Sequence, residues 1–465
     1  MKKKFNWNDF LKRVMIIAIP VALQQLLTTT GSMVDTMMLS AIGENAVGAV
    51  GLCSSFSYLG VSSVYGFIGG GSLFIAQYWG AKDEDNMCRY YGIMLTLCMV
   101  IGVLFGLLAS LFPSAVMDIY TNKAVVKQNG MEYLKTMGIG YPFMVATLCV
   151  SAFLRATERV KIPLFSSIAS VFVNIFLNWV LITGRLGFPA LGIKGAALAT
   201  VAANIVNLAL CLVLAVCTRF PYLFRFRKMF AYRIFHIRIY FKKCFAILLN
   251  EVAMGVSATL INMIYGRQAE AVIAATAVCK VMDGFIIGFF SGFSTAASIL
   301  VGKSVGAGEL EDAYERAKRL VYLCGACILL VVTGVFLFRG RLLSLMGLSG
   351  ESYAIGSRMF IVLCVGSYIR MHNWVQNDTF RSAGETAYGT ILEISFMYLM
   401  VLPIMYLGAF VFHWPFLLVY ACSYIDDPIR LFLMQRRMYS GKWVKPVTPE
   451  GQRKLPEFRK NHGLE

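Results

Sequence analysis

The sequence predicts an all-α integral membrane protein: twelve transmembrane helices in two pseudo-symmetric six-helix lobes. Three observations predict it. Of 465 residues, 58% are apolar and only 15% charged, against roughly 45–50% and about 25% in an ordinary soluble protein. The apolar residues come in long unbroken runs, where a membrane barrel would alternate. Twelve such runs can be counted, each compatible with the ~20 residues that a spanning helix needs.

In order, the runs occupy about 14–39, 47–78, 92–112, 132–153, 164–184, 194–217, 245–265, 271–301, 320–338, 359–379, 390–411 and 414–434. The first contains Pro20, which removes a backbone hydrogen bond and invites a kink, and Asp35. The second contains Gly69-Gly70-Gly71, suited to close helix packing. Polar stripes run through the fifth and sixth. The seventh opens with Asn250-Glu251, the eighth carries Lys280 and Asp283, and Arg370 and Asp378 fall in the tenth. Asp426, Asp427 and Arg430 crowd the last. Lys2, Lys3 and Lys4 precede an apolar run that continues past Pro20 without a small-residue cleavage motif, so no cleavable leader is expected.

Basic residues crowd one side of a membrane protein, the inner one. With both termini inside, 31 Lys and Arg fall on inner segments, 9 outside and 3 within spans. This bias accounts for the net charge of +18 without nucleic acid and predicts both termini in the cytoplasm, with the protein expected in a plasma membrane or bacterial inner membrane. The densest inner segment, 218–243, has eight basic and no acidic residues, interleaved with Phe and Tyr. It reads either as an amphipathic helix on an anionic leaflet or as a basic linker that fixes topology. The expected organisation is an N-lobe (1–217), this cytoplasmic linker (218–243), a C-lobe (244–435) and a basic cytoplasmic tail (436–465).

A repeat supports two lobes. At one offset, 226, Glu44, Ala49 and Cys53 match Glu270, Ala275 and Cys279. Gly66-Phe67, Ser72 and Gly80-Ala81 match Gly292-Phe293, Ser298 and Gly306-Ala307, and Arg155 matches Arg381. Six spans per half give both halves the same orientation, an architecture that predicts a cavity between them and alternating access.

Enzyme motifs come up short. Gly302-Lys303-Ser304 resembles the end of a phosphate-binding loop, but the required earlier glycine is Ala297. Cys324 and Cys327 form a CxxC inside an apolar run, with no second pair to complete a four-ligand zinc site. His372-Asn373 is the one pair that could serve a membrane-embedded enzyme. No cofactor and no resident metal are expected.

Ionisable groups inside spans usually line a pathway. Gln24, Thr28, Ser32 and Asp35 share one helical face. Ser167, Ser170, Asn174 and Asn178 form a second stripe, and Thr200, Asn204 and Asn207 a third. Together they can surround one water-filled pocket, with Asp35 as the exchanging group and Gln24, Thr28, Asn204 and Asn207 lining the cargo path. A carboxylate among amide and hydroxyl oxygens suits a proton or Na⁺. The competing reading is that these groups glue helices together. In the second half, Glu251 with Arg370 reads as an interhelical ion pair, and Lys280 with Asp283 as a local neutralising pair.

The stretches MVDTMMLSAIGENAVGAVG (33–51), SLFIAQYWGAKDED (72–85), LRATERVKIP (154–163), LLNEVAMGVSATLINMIYGR (248–267) and FRSAGET (380–386) resemble the multidrug and toxic compound extrusion (MATE) family. The resemblance implies a two-lobe exporter that exchanges H⁺ or Na⁺ for small organic, often cationic, compounds; a monomer among membrane lipids suffices for that mechanism. It implies that Asp35 is the family's acidic residue of the first helix and that Asn174, Asn178 and Thr200 occupy its N-lobe cation site. Pro20 matches the proline whose helix bends, and Glu251 the acidic position of the seventh helix. Two departures stand out. Glu158 replaces a usual glycine, and Arg370 falls about where one branch has an aspartate, so a fixed cation argues against a C-lobe Na⁺ site and for Asp35-centred coupling. The expected function is therefore multidrug efflux by cation antiport. The alternatives are a flippase for a lipid-linked saccharide and an enzyme built on His372.

Overall fold

A computed structural model describes residues 6–464, and the described residues are overwhelmingly helical. Water is absent from a bilayer core, so each backbone polar group must be satisfied within its own segment, which selects helices. The first half runs α1 (Trp7–Ser40), α2 (Glu44–Gly80), α3 (Glu84–Leu111), α4 (Pro113–Tyr120), α5 (Ala124–Ala156), α6 (Lys161–Thr183) and α7 (Gly192–Cys217). A 3₁₀ turn (Pro221–Phe224) and the one-turn α8 (Phe226–Met229) follow. The second half runs α9 (Ile234–Gly266), α10 (Glu270–Gly306), α11 (Leu310–Leu345), α12 (Gly350–Ser382), α13 (Ala387–Phe396) and α14 (Leu402–Phe410). It closes with α15 (Phe416–Cys422), α16 (Asp427–Ser440) and α17 (Pro449–Asn461). Hydroxyls inside the spans return their protons to their own helix: Thr28, Thr36 and Ser54 each donate to the carbonyl four residues back.

The 226-residue repeat is written into the helix boundaries. α2 and α10 begin at 44 and 270 and end at 80 and 306, α5 and α12 begin at 124 and 350, and α6 and α13 begin at 161 and 387. Among the described residues, eleven helices are long and apolar enough to span, counting α13 to α14 as one. The twelfth expected segment, 414–434, is not one helix: α15 stops at Cys422 and α16 restarts at Asp427, with Pro428 in its first turn. Between α13 and α14 lies a π turn, Met397–Val401. Pro403 lacks the N–H that a regular helix would offer to the preceding turn, and a wider turn absorbs that loss.

Two compact units emerge from the contacts: Met1–Ala22, Ala76–Lys82 and Leu249–Glu465 form one, and Leu23–Ile75 with Asp83–Leu248 the other. These boundaries cut across the expected lobes. The first part of α1 and the last turns of α2 belong to the unit that holds α10 to α17, and the linker belongs to the other. The second unit is centred on a cluster that includes Phe56, Met117, Tyr133 and Tyr141. The first is centred on Phe360, Leu363, Met405 and Tyr420.

The basic linker is not a continuous amphipathic helix. Its two short turns dock on the start of α3: Arg225 pairs with Glu84 at 2.6 Å, Tyr222 donates to Glu84 at 2.5 Å, Lys228 pairs with Asp85, and Arg89 donates to the Ala231 carbonyl at 2.9 Å.

The ends of α2 and α10 approach at glycines. A Cβ on Gly80 would lie 2.0 Å from the Lys303 carbonyl oxygen, and one on Gly306 would lie 1.9 Å from that of Gln77. These two glycines are related by the repeat, and each provides the gap that the other's helix needs. Gly306→Ala should therefore lower stability by about 1–3 kcal/mol, the usual cost of overpacking. Gly284→Ala, also in α10 but with nothing within 4 Å, should leave the melting midpoint in detergent unchanged or slightly higher. Thermal melts of the two variants check this.

Candidate functional site

Asp35 lies near the end of α1, half-buried, where a carboxylate needs partners. Asn178 on α6 supplies one, its Nδ2 donating to Asp35 Oδ1 at 2.6 Å. Asn174, one turn earlier, faces the same carboxylate. With its amide turned nitrogen-first it donates to Oδ1 at 2.7 Å. An ionised carboxylate only accepts, whereas a protonated one also donates. The Asn174 amide therefore presents its nitrogen to charged Asp35 and its oxygen to neutral Asp35. The i, i+4 spacing of the two asparagines on α6 puts both on the face turned toward α1.

The carboxylate opens into a cavity of about 140 Å³, lined among others by Ser32, Ser54, Tyr133, Asn178 and Thr200. Asn178 is 1% exposed, and its Oδ1 is buried without a hydrogen-bond partner. Thr200 spends its proton on the Ala196 carbonyl at 3.0 Å, leaving its oxygen lone pairs for the cavity. Oxygen donors of carboxylate, amide and hydroxyl type are those that hard cations take. Among the described residues no group of three or more His, Cys, Asp or Glu could hold a metal ion.

The sequence stripes divide accordingly. Asp35, Asn174, Asn178 and Thr200 come together. Gln24 lies further along α1, donating to Ser167 Oγ at 2.9 Å, and Thr28 donates to the Gln24 carbonyl. Asn204 donates to the Thr200 carbonyl at 2.9 Å, and Asn207 accepts from the Cys211 thiol; both serve their own helix. Ser54 and Tyr133 were not singled out by sequence. Ser54 does sit on a polar stripe of its own helix (Ser54, Tyr58, Ser62), but with no charged group in it.

The second half holds a different arrangement. Glu251 does not pair with Arg370; its partner is Arg381 at 3.5 Å, which also meets Asp378 at 3.6 Å. Arg370 turns instead to Asp427 at 3.3 Å and the Ser423 carbonyl at 2.8 Å, its guanidinium 4.0 Å from the Tyr424 ring centre. Arg430 binds Glu393 at 3.1 Å and Asp426 at 3.2 Å. The sequence could not assign these partners, because three arginines and five carboxylates allow many pairings. Lys280 and Asp283 do not neutralise each other either: Lys280 donates to Asn262 across to α9, and no ion pair joins the two among the described residues. His372 and Asn373 point apart. His372 Nδ1 donates to the Tyr368 carbonyl at 2.8 Å, and Asn373 donates to the Asp427 carbonyl at 3.0 Å.

The turn after α5 explains the departure at Glu158. Its φ is +64°, and Gly384, its counterpart in the repeat, has φ +98°. Both turns need the left-handed region, which favours glycine.

Comparison with known proteins settles the family. The MatE family profile matches residues 20–180 and 246–407, most of the chain in two blocks. The chain belongs to the MatE family. This MATE protein is 27% identical over 403 residues to the probable multidrug resistance protein YoeA of Bacillus subtilis, covering 82% of each chain. It is 25% identical over 421 residues to the uncharacterized transporter YisQ of the same organism, covering 88% of this chain and 90% of YisQ. Among solved structures, a MATE crystal structure in complex with MaL6 superposes with a TM-score of 0.83 at 18% identity, covering 93% of this chain and 97% of that one. Membership makes the protein a multi-pass membrane transporter of the multidrug efflux class, acting on small molecules and not an enzyme.

Asn178 and Asn207 separate site from scaffold in this MATE protein. Removing a hydrogen bond to a charged group costs about 1.5–3 kcal/mol, so Asn178→Ala should lower transport at least tenfold in reconstituted vesicles with folded yield retained. Asn207→Ala, whose bond is within its own helix, should transport like the wild type.

Proposed function

We propose that this protein is a secondary active antiporter that exports organic, often cationic, compounds in exchange for H⁺ or Na⁺ taken up at Asp35. The observation that carries the reading is the Asp35 carboxylate held by two asparagine amides beside the buried, unpartnered Oδ1 of Asn178. A coupling cation neutralises Asp35 and turns the Asn174 amide. Loss of that charge weakens the hold on cationic cargo, and return of cargo favours release of the ion. A ligand shifts a conformational equilibrium only through unequal affinity for its two states, and one titrating or cation-binding acid supplies that inequality. One charge crossing 100 mV is worth roughly 2.3 kcal/mol, enough for about fiftyfold accumulation.

Pro20 is the proposed hinge. It lies inside α1, and the boundary between the two compact units crosses this helix two residues later, between Ala22 and Leu23. Gln24 and Thr28 remain candidates for the cargo path, whereas Asn204 and Asn207 bond within their own helix. In the second half, Glu251 and Arg370 act as struts: each is held by a counter-ion, so neither is the principal exchanging group. The chain works as a monomer in a bacterial inner membrane. The excess of Lys and Arg on the segments expected to share a side with both termini supports cytoplasmic termini.

Efflux of a fluorescent organic cation from proteoliposomes tests the proposal, with a pH gradient and a Na⁺ gradient imposed separately. One gradient should drive efflux in the wild type, naming the ion, and Asp35→Asn should abolish it, with weaker binding of the cation to the folded, detergent-purified protein. Efflux indifferent to both gradients, or an active Asp35→Asn, would contradict the antiporter and favour the flippase.

A further inference from the structure

The two halves treat one repeated arginine in opposite ways. Arg155 and Arg381 occupy equivalent positions at the repeat offset of 226, each in the last turn of its helix, α5 and α12. Arg381 meets Glu251 at 3.5 Å and Asp378 at 3.6 Å. The positions equivalent to those two acids hold Gln25 and Ala152. Arg155 therefore lacks both counter-ions, and among the described residues its guanidinium forms no ion pair and no hydrogen bond. An arginine keeps its proton, and a charge withdrawn from bulk water without a partner is costly.

The surroundings of Arg155 lie within one compact unit, Leu23–Ile75 with Asp83–Leu248, and they follow from helical spacing. Thr147, Ser151 and Arg155 step by four residues along one face of α5. That face meets α7 where Thr147 donates to the Asn204 carbonyl at 3.4 Å, and α6 meets α7 where Ser170 donates to the Ala203 carbonyl at 2.8 Å. Continued along the same three helices, these faces bring Ser151, Ser166 and Cys211 together. Cys211 and Tyr65 of α2 are the ionisable side chains beside Arg155. Ser166 is wholly buried, and its Oγ has no hydrogen-bond partner. Arg155 is only half-buried, so part of its surface stays open to a ligand.

We propose that Arg155 and Ser166 hold an oxyanion of the phosphate class, either the free ion or the headgroup of an anionic lipid. The guanidinium offers a planar fork of N–H donors with a fixed positive charge, which matches phosphate geometry, and the Ser166 hydroxyl adds a donor that nothing else uses. A cation would be repelled there, and a neutral compound would leave the charge unbalanced. The bound anion does for Arg155 what Glu251 and Asp378 do for Arg381, and it joins the end of α5 to α6. The site shares no residue with the pocket around Asp35.

The test uses the full-length protein washed in a neutral detergent, as wild type, Arg155→Gln and Arg155→Lys. Thermal melts are recorded with inorganic phosphate against sodium chloride of equal ionic strength, and in mixed micelles with phosphatidylglycerol against phosphatidylcholine. Phosphorus analysis of the washed protein reports any oxyanion that it retains. Ligand that binds only the folded state raises the melting midpoint, so phosphate or phosphatidylglycerol should raise that of the wild type by about 1–3 °C, or the washed protein should retain phosphorus. Arg155→Gln should lose the shift and the retained phosphorus. Arg155→Lys keeps the charge without the fork and should show a smaller shift; it carries the test if Arg155→Gln yields no folded protein. A shift with phosphate assigns the free ion, and a shift with phosphatidylglycerol alone assigns the lipid headgroup. No shift with either and no retained phosphorus would overturn the proposal, as would a shift of wild-type size in both variants.

Discussion

The hydrogen bond from Asn178 to Asp35 joins α6 to α1, and the account of transport depends on it. A carboxylate away from bulk water needs partners, and the chemistry of those partners decides what the carboxylate can do. An arginine fixes the charge, because its own proton does not leave. Two asparagines do not. Each amide presents either a donor or an acceptor, so the same pair accommodates Asp35 charged or neutral. The cavity beside it, with Thr200 and the free oxygen of Asn178, leaves room for the cation that makes the difference.

The repeat makes the contrast sharper. The two halves share helix boundaries at one offset, and Arg381 keeps its counterpart Arg155, yet the acids inside the spans do not follow it: Ile261 occupies the position equivalent to Asp35, and Gln25 the position equivalent to Glu251. Where the first half meets its acid with amides, the second meets Glu251, Asp378, Glu393, Asp426 and Asp427 with Arg370, Arg381 and Arg430. Removing one partner of such a buried pair is strongly destabilising, which suits a scaffold. One architecture thus carries an adjustable site in one half and a fixed network in the other.

What the sequence reveals follows from periodicity and cost. Apolar runs mark the helices because nothing else tolerates lipid. The i, i+4 spacing on α6 places Asn174 and Asn178 on one face, and Asp35 stands out because a lone acid in a span is expensive. Pairings between distant segments leave no such trace. Arg370 and Arg381 lie eleven residues apart on α12, about three turns and so nearly one face; which of them meets Glu251 depends on how far α9 is shifted along α12, which spacing alone does not determine. Gln77 binds Val447 across 370 residues of chain; Gln77 stands alone among apolar neighbours, but nothing near it names its partner. The broken twelfth segment was masked in the same way: its hydropathy is continuous, and only Asp426, Asp427 and Pro428 mark the turn.

Infrared difference spectroscopy on the reconstituted protein measures the central claim most directly, by following the carboxylic acid C=O stretch when cargo is added at fixed pH and Na⁺. The account predicts that cargo binding changes one carboxyl band or its carboxylate counterpart, that the change disappears in Asp35→Asn, and that an Asn amide band shifts with it and is lost in Asn174→Ala. A carboxyl signal that persists in Asp35→Asn, or cargo binding with no change at any carboxyl group, would contradict it.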